Sequence, residues 1–170
     1  MRVHNGMRPQ DVVVLLKILT VQGNWQYRDL SAALSISVSE IAESLHRSSV
    51  AGLIDGQKKK VYRTSLMEFV QYGLHYVFPQ VPGQTVTGTP TAHSHPFYKE
   101  HFSSESNYVW PDDKGLMRGM LIEPLHKGVV QAAKEDELLY KTLASIDIIR
   151  VGKNREKKLA IEELKKIILI

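Results

Sequence analysis

The most informative segment of the chain reads LSISVSEIAESLHRSSVAGLID and spans residues 34–55. Ser37 is one of the residue types preferred at a helix N-cap, and Glu40 follows three positions later, which is the spacing of a capping box. The segment therefore predicts a helix from about Val38 to about Ala51.

The two sides of this predicted helix differ in composition. Ile41 and Leu45 recur at helical spacing and predict a side that packs on the protein core. Small hydroxyl side chains at Ser39 and Ser44 would allow the opposite side to approach a ligand closely. The residues expected on that solvent-facing side are Ser39, Glu40, Glu43, Ser44 and Arg47, and His46 could also lie there.

Two further helices are predicted before residue 34. Pro9 suits the first turn of the first one, and its apolar stripe consists of Val12, Leu15, Leu16 and Leu19. The second is short, with a buried face formed by Leu30, Ala33 and Leu34. A short helix joined by a tight turn to another helix matches a helix-turn-helix, whose second helix enters the major groove of DNA.

A basic turn follows this unit. The pair Leu53–Ile54 predicts a short strand, and the three consecutive lysines Lys58–Lys60 come shortly after it. In a winged helix, the wing that contacts the DNA backbone or minor groove would lie at this position. Only six residues separate the strand from Val61, so the predicted wing is rudimentary.

The segment quoted above resembles the helix-turn-helix core of bacterial MarR-like winged-helix regulators, and the resemblance covers residues 10–62. In that family the recognition helix precedes a strand like the AGLI of residues 51–54, and then a wing. The resemblance implies a winged helix-turn-helix that binds DNA and regulates transcription. The complete chain resembles an uncharacterised group of bacterial helix-turn-helix proteins through segments similar to GLHYVFP, TGTPTAHS and VWPD.

The distribution of charge favours the same interpretation. The formal net charge is +4, and residues 1–63 contain nine Lys or Arg but only five Asp or Glu. The remaining residues contain 13 of each sign, so the positive excess lies entirely in the N-terminal part. Such an excess is expected of a surface that faces phosphates.

These patterns give a set of candidate DNA-binding residues. Ser39, Ser44 and Arg47 are expected at base edges, where an arginine can bind guanine. A glutamate can accept a hydrogen bond from cytosine, although carboxylates are unfavourable near phosphates. The complete candidate set is Arg28, Ser37, Ser39, Glu40, Glu43, Ser44, Arg47, Lys58, Lys59 and Lys60.

The C-terminal part predicts helices around a long loop and one β-hairpin. Residues 65–79 predict one amphipathic helix, in which Gly73 indicates a close approach to another helix, such as the first helix of the DNA-binding unit. Residues 79–107 are rich in Pro, Gly, Thr and Ser and predict a long loop, in which residues 96–101 could form a turn of helix. Residues 108–122 predict a hairpin. Further helices are predicted over about residues 129–134, 138–151 and 154–168.

Enzyme and metal signatures are weak. His93, His95, His101 and His126 could supply metal ligands, but a hydrogen-bonded loop is the favoured interpretation, and no metal or cofactor is predicted. The chain contains no cysteine, which excludes disulfides, thiolate zinc sites and cysteine nucleophiles and suits a reducing cytoplasm. It also contains no GxSxG, P-loop, HExxH or GxGxxG motif, so it is not expected to be an enzyme.

The sequence thus predicts a mainly α protein with a small β component. A winged helix-turn-helix is expected over residues 8–63 after a loose tail at Met1–Gly6, and a helical α+β part over residues 64–170. The expected function is sequence-specific binding of double-stranded DNA by a cytoplasmic homodimer, as a transcriptional regulator or an antitoxin-like protein whose C-terminal half holds a partner protein. The alternative is a protein-interaction adaptor that has the same scaffold but does not bind DNA. No membrane-spanning segment is expected.

Overall fold

The computed structural model describes residues 5–170, so part of the tail predicted at Met1–Gly6 lies outside the described residues. The protein is mainly helical with one small sheet, as predicted. Its helices are α1 Pro9–Thr20, α2 Tyr27–Leu34, α3 Val38–Val50, α4 Arg63–Tyr72, α5 Leu74–Val77, α6 Pro96–Lys99, α7 Val129–Glu135, α8 Glu137–Val151 and α9 Asn154–Ile168. Its strands are β1 Thr85–Pro90, β2 Tyr108–Pro111 and β3 Met117–Leu121.

The start of α3 is confirmed at Val38, and the predicted capping box is half formed. Ser37 Oγ accepts a hydrogen bond from the backbone N–H of Glu40 at 3.2 Å. The Glu40 carboxylate does not return to the Ser37 backbone, because it accepts a hydrogen bond from Gln10 on α1 at 2.9 Å. The cap thus begins α3, and the glutamate ties it to α1.

The connections on either side of α3 are short. A three-residue turn joins α2 to α3, and Ser35 at its start has a left-handed backbone with φ 54°. After α3, the predicted strand is reduced to a single antiparallel bridge between Ile54 and Val61. The turn between these two residues is the basic turn.

The hydrophobic core is continuous across residue 63. The side chains of Val12–Leu16 on α1 are all completely buried. They belong to the same buried cluster as Leu45 of α3, Leu143 of α8 and Leu164 of α9. Helix α1 therefore packs on the N-terminal helices and on the C-terminal helices at once.

The prediction of one helix over residues 65–79 is wrong. Helix α4 ends at Tyr72 and the single turn of α5 begins at Leu74. A Cβ atom at Gly73 would lie 3.1 Å from the side chain of Phe69, one turn earlier in the chain. The close approach indicated by this glycine is therefore within its own segment, and not to the first helix.

The turn of helix expected within the loop over residues 79–107 is present as α6, but that segment also contains a strand, and the prediction of a hairpin over 108–122 is wrong. Strand β1 lies within the predicted loop and pairs antiparallel with both β2 and β3, while β2 and β3 pair parallel to each other. One half of β1 is the antiparallel neighbour of β2, and the other half is the antiparallel neighbour of β3. In the predicted hairpin, β2 and β3 would have been antiparallel to each other. Gly88 lies where the halves meet, and a Cβ there would be 1.9 Å from the carbonyl oxygen of Trp110.

A buried polar network fastens this sheet to α8. Asp147 Oδ2 accepts hydrogen bonds from Thr91 Oγ1 at 2.6 Å and from Trp110 Nε1 at 2.7 Å. Asp147 Oδ1 accepts one from Arg150 at 3.0 Å, and Arg150 also donates to the carbonyls of Phe78 and Glu123. The prediction that Trp110 packs on the core is confirmed, since its side chain is 1% exposed.

A second polar link joins α1 to the N-terminus of α8. Asp136 is the N-cap of α8 and accepts hydrogen bonds from Lys17 Nζ at 2.7 Å, Thr20 Oγ1 at 2.7 Å and the backbone N–H of Leu139 at 2.9 Å. Burial opposes ionisation of this carboxyl group, but these donors outweigh burial and lower its pKa.

This link predicts an acid-sensitive contribution to stability. The lowered pKa of Asp136 means that the contribution is complete above the unfolded-state value of about 3.9 and is lost as the pH falls through the folded-state value. We expect Asp136→Asn, which keeps the cap but removes the charge, to cost about 1–2 kcal/mol near neutral pH and less below about pH 4. Chemical unfolding at several pH values measures both effects. The exposed turn residue Asp113 provides the matched control, Asp113→Asn, and a cost for Asp136→Asn that does not change with pH would contradict this assignment.

Within residues 5–170, no helix combines the length and the apolar composition needed to cross a membrane.

Candidate nucleic-acid interface

The exposed face of α3 is small, polar and weakly acidic. Ser39, Glu43 and His46 are exposed, and Glu40 is half-buried. Their spacing of three or four residues places them on one side of the helix. This face is available to a ligand, but within the described chain its only ionisable group other than the two carboxylates is the imidazole of His46.

Ser44 does not belong to this face, and its predicted contact with base edges is wrong. Its side chain is completely buried, and its Oγ has no hydrogen-bond partner among the described residues. Position 44 lies three residues after Ile41 and next to Leu45, so helical geometry turns it towards α1 with those core residues.

Arg47 is likewise turned inward, and its predicted contact with guanine or phosphate is wrong. It is 6% exposed and forms a two-bond ion pair with Asp11 of α1. Arg47 Nε donates to Asp11 Oδ2 and Arg47 Nη2 donates to Asp11 Oδ1, each at 2.8 Å. These hydrogen bonds raise the pKa of Arg47 above its ordinary value.

The partner of Arg47 could have been suspected from the sequence. Asp11 directly precedes the apolar run Val12–Leu16, in a helix predicted to be buried. A carboxylate in such a place requires a cation or several hydrogen-bond donors, because burial of an unpaired charge is very costly. Asp11 meets this requirement with Arg47 and with the backbone N–H of Arg8 at 2.8 Å.

Two more candidate residues have structural partners at the surface. Ser37 serves as the cap of α3. Glu40 accepts from Gln10 and lies 3.9 Å from the guanidinium of Arg8. Both residues border the exposed face, although their hydrogen bonds hold them to the protein itself.

The basic turn is held together by one carboxylate. Asp55 Oδ1 accepts the backbone N–H groups of Lys60 at 2.9 Å and Lys59 at 2.7 Å, which lowers the pKa of Asp55. Lys58, between them and Asp55 in sequence, has a left-handed backbone with φ 60°. This compact turn takes the place of the longer hairpin of a full wing.

Lys59 fastens the basic turn to the beginning of α2. Its ammonium nitrogen lies 4.3 Å from the centre of the Trp25 ring and 5.7 Å from that of Tyr27. It also donates a hydrogen bond to the carbonyl of Trp25 at 3.2 Å. The basic turn therefore lies beside the first turn of α2, which carries the exposed Arg28.

Three of the predicted phosphate-binding residues remain available. Among the described residues, no carboxylate lies within ion-pair distance of Arg28, Lys58 or Lys60; we call these three residues the basic group. Seven of the other 18 Lys and Arg residues in the described chain have acidic partners, such as Lys17 with Asp136. The positive excess of the N-terminal part thus includes side chains that are free to meet an external anion.

His46 is the exposed polar residue of α3 that is absent from the candidate set. It follows Ser39 by seven residues and Glu43 by three, so helical periodicity alone places all three on one side. Its imidazole can donate and accept hydrogen bonds, as base recognition requires.

The four histidines considered as metal ligands have hydrogen-bond partners within the protein. His93 pairs with Glu156 at 2.5 Å, and His101 lies 2.8 Å from the carbonyl of Phe97. His126 Nδ1 and His95 Nδ1 each accept a backbone N–H two residues later in the chain. Burial, assisted by the charge of Lys141, lowers the pKa of His95 to about 4. Within the described chain, no three His, Asp or Glu side chains are grouped as metal ligands.

Comparison of the chain with protein-family models, with curated proteins and with solved structures found no match.

Proposed function

We propose that the protein binds double-stranded DNA through α2, α3 and the basic turn, in the manner of a winged helix-turn-helix. The observation that carries this proposal is the basic group, Arg28, Lys58 and Lys60, whose charges have no ion-pair partner among the described residues. Its position beside the start of α2 is compatible with contacts to the DNA backbone. Such contacts position a protein on a duplex without specifying a sequence.

Base contacts in this proposal come from the exposed face of α3. Ser39, Glu43 and His46 are the side chains available there, and all three can form hydrogen bonds with base edges. Glu43 suits the amino group of cytosine, since it can only accept when ionised. Ser44 and Arg47 have no part in this revised set, because both are buried.

The resemblance of residues 10–62 to MarR-like regulators supports a role in transcription, and we extend the proposal to a cytoplasmic transcriptional regulator. A homodimer would allow two copies of α3 to bind adjacent half-sites. Exposed apolar side chains on and after α4, namely Tyr72, Tyr76 and Val77, offer a surface for this pairing. An antitoxin-like version would instead use the C-terminal half to hold a partner protein.

An adaptor that does not bind DNA is the second candidate. It is favoured by the acidic character of the exposed face of α3, on which Glu40 and Glu43 remain while Arg47 is withdrawn into the core. Carboxylates facing a phosphate backbone reduce affinity, whereas they suit a basic surface of another protein. Direct measurement of DNA binding separates the two candidates.

The first test is binding to random-sequence duplex DNA over a series of salt concentrations. Each phosphate that the protein neutralises contributes about 0.9 to the slope of log affinity against log salt. We therefore expect Lys58→Ala/Lys60→Ala to bind more weakly at low salt and to reduce the slope by about 2. Lys158→Ala/Lys165→Ala removes two exposed lysines from α9 and is the matched control.

Two outcomes would contradict the proposal. One is an equal change in slope for the α9 control, which would show that DNA binding does not depend specifically on the basic turn. The other is absence of binding by the unaltered protein at about 50 mM salt, where non-specific binding is favoured. The second outcome would leave the adaptor as the better interpretation.

A further inference from the structure

An open groove of about 640 Å³ runs beside the basic turn. It lies between the C-terminal end of α1, the basic turn and the first turn of α4. Its volume is within the range of sites for small molecules, which is about 300–1,000 Å³. The groove is lined by Ile18, Leu19, Gly23, Trp25, Lys59, Lys60 and the start of α4, residues 61–65.

The walls of the groove carry positive charge without compensation. Lys59, Lys60 and Arg63 line it, and no Asp or Glu of the described chain does so. Arg63 is half-buried and donates one hydrogen bond to the carbonyl of Ile168 at 3.0 Å. This bond anchors the guanidinium, which retains further N–H donors for a ligand.

Neutral hydrogen-bond donors lie next to these charges. The backbone N–H groups of Arg63, Thr64 and Ser65 have no acceptor within the described chain, and the first turn of α4 holds no acidic residue. By contrast, Ser37 and Asp136 accept first-turn N–H groups of α3 and α8. The hydroxyls of Thr64 and Ser65 add two more donors on the same wall.

Trp25 is the aromatic residue that lines the groove. It is half-buried, and Lys59 lies over one face of its ring. Ile18 and Leu19 add apolar surface to the lining. The lining therefore offers cations and donors to an anion with several acceptor oxygens, and aromatic and apolar surface to a planar ring.

We propose that this groove binds a mononucleotide, with its phosphate between Lys60 and Arg63 and its base against Trp25. A phosphate dianion offsets two of the three positive charges and has oxygens for the N–H and hydroxyl donors of α4, whereas a carboxylate offers one charge and two oxygens. The base provides a planar surface that can pack against Trp25. This site is separate from the exposed face of α3 and does not require the protein to bind DNA.

The test is calorimetric titration of the full chain with GMP, guanosine and inorganic phosphate at about 50 mM salt. We expect GMP to bind at least about tenfold more tightly than either fragment, because it alone engages both the cations and Trp25. Lys60→Gln/Arg63→Gln should weaken GMP binding at least about tenfold, and Trp25→Leu should remove the advantage of GMP over phosphate. Lys158→Gln/Lys165→Gln makes the same change of charge on α9 and should have little effect.

Several results would overturn the proposal. These are no saturable binding of GMP up to about 10 mM, equal affinities for GMP and phosphate, or equal weakening by the α9 control. Thermal unfolding of each variant verifies that its fold is intact. Lys58 does not line the groove, so Lys58→Ala should weaken DNA binding alone, and failure of the nucleotide site can be distinguished from failure of the proposed DNA-binding function.

Discussion

Replacement of Asp147 by alanine is expected to lower the free energy of unfolding by about 3–5 kcal/mol, or to prevent folding. Asp147 is 2% exposed and accepts hydrogen bonds from Thr91, Trp110 and Arg150. Without it, the Arg150 guanidinium stays buried with no carboxylate, and two neutral donors have no acceptor. Each of these changes is costly because water cannot replace the missing partner in the core.

Urea unfolding monitored by circular dichroism measures this loss of unfolding free energy. Asp113→Ala removes the same functional group from an exposed turn and should change stability by less than about 0.5 kcal/mol. If the Asp147 variant is too unstable to isolate, Thr91→Val removes a single donor and should cost about 1–3 kcal/mol. A cost below about 1 kcal/mol for Asp147→Ala would show that the network does not fasten the sheet to α8.

Replacement of Arg47 by alanine is expected to cost a comparable amount, about 3–5 kcal/mol, because it leaves the completely buried Asp11 without its cation. Replacement of a residue that served only to contact DNA would change the stability of the free protein very little. Asp11→Ala should be similarly costly, with an additional penalty because Asp11 also accepts the N–H of Arg8. Thermal or urea unfolding of the free protein measures both effects.

A double variant distinguishes the ion pair from general damage to the core. Asp11→Ala/Arg47→Met removes both charges and retains most of the apolar volume of Arg47, so it should be less destabilising than the sum of the single changes. The neighbouring His46→Ala alters an exposed position of the same helix and should cost less than about 0.5 kcal/mol. Equal effects of Arg47→Ala and His46→Ala would contradict the buried pair.

The N-terminal helices could be predicted because their signals are local. Pro9 and Ser37 mark the starts of helices through their own local preferences, and the apolar stripe of α1 needs only helical spacing. The small sheet could not be predicted in the same way. The pairing of β1 with two strands depends on residues 19 to 35 positions apart, and a turn-rich composition conceals it.

The candidate site is less predictable than the fold, for a related reason. Polarity alone assigns Ser44 and Arg47 to the surface, although Ser44 lies in register with Ile41 and Leu45. Periodicity should outweigh polarity where a helix is packed on one side, since a buried polar residue can be satisfied by a partner far away in sequence. Asp11, 36 residues before Arg47, is such a partner.

Helix α1 packs against both the N-terminal and the C-terminal part of the protein, and this limits how the two parts can change in evolution. Its buried side chains Val12–Leu16 fit α3 on one side and α8 and α9 on the other. An N-terminal part excised at residue 63 would expose much of that surface, so it is not a transferable module. Substitutions in α1 must satisfy two neighbours at once, and the two parts are therefore constrained to diverge together.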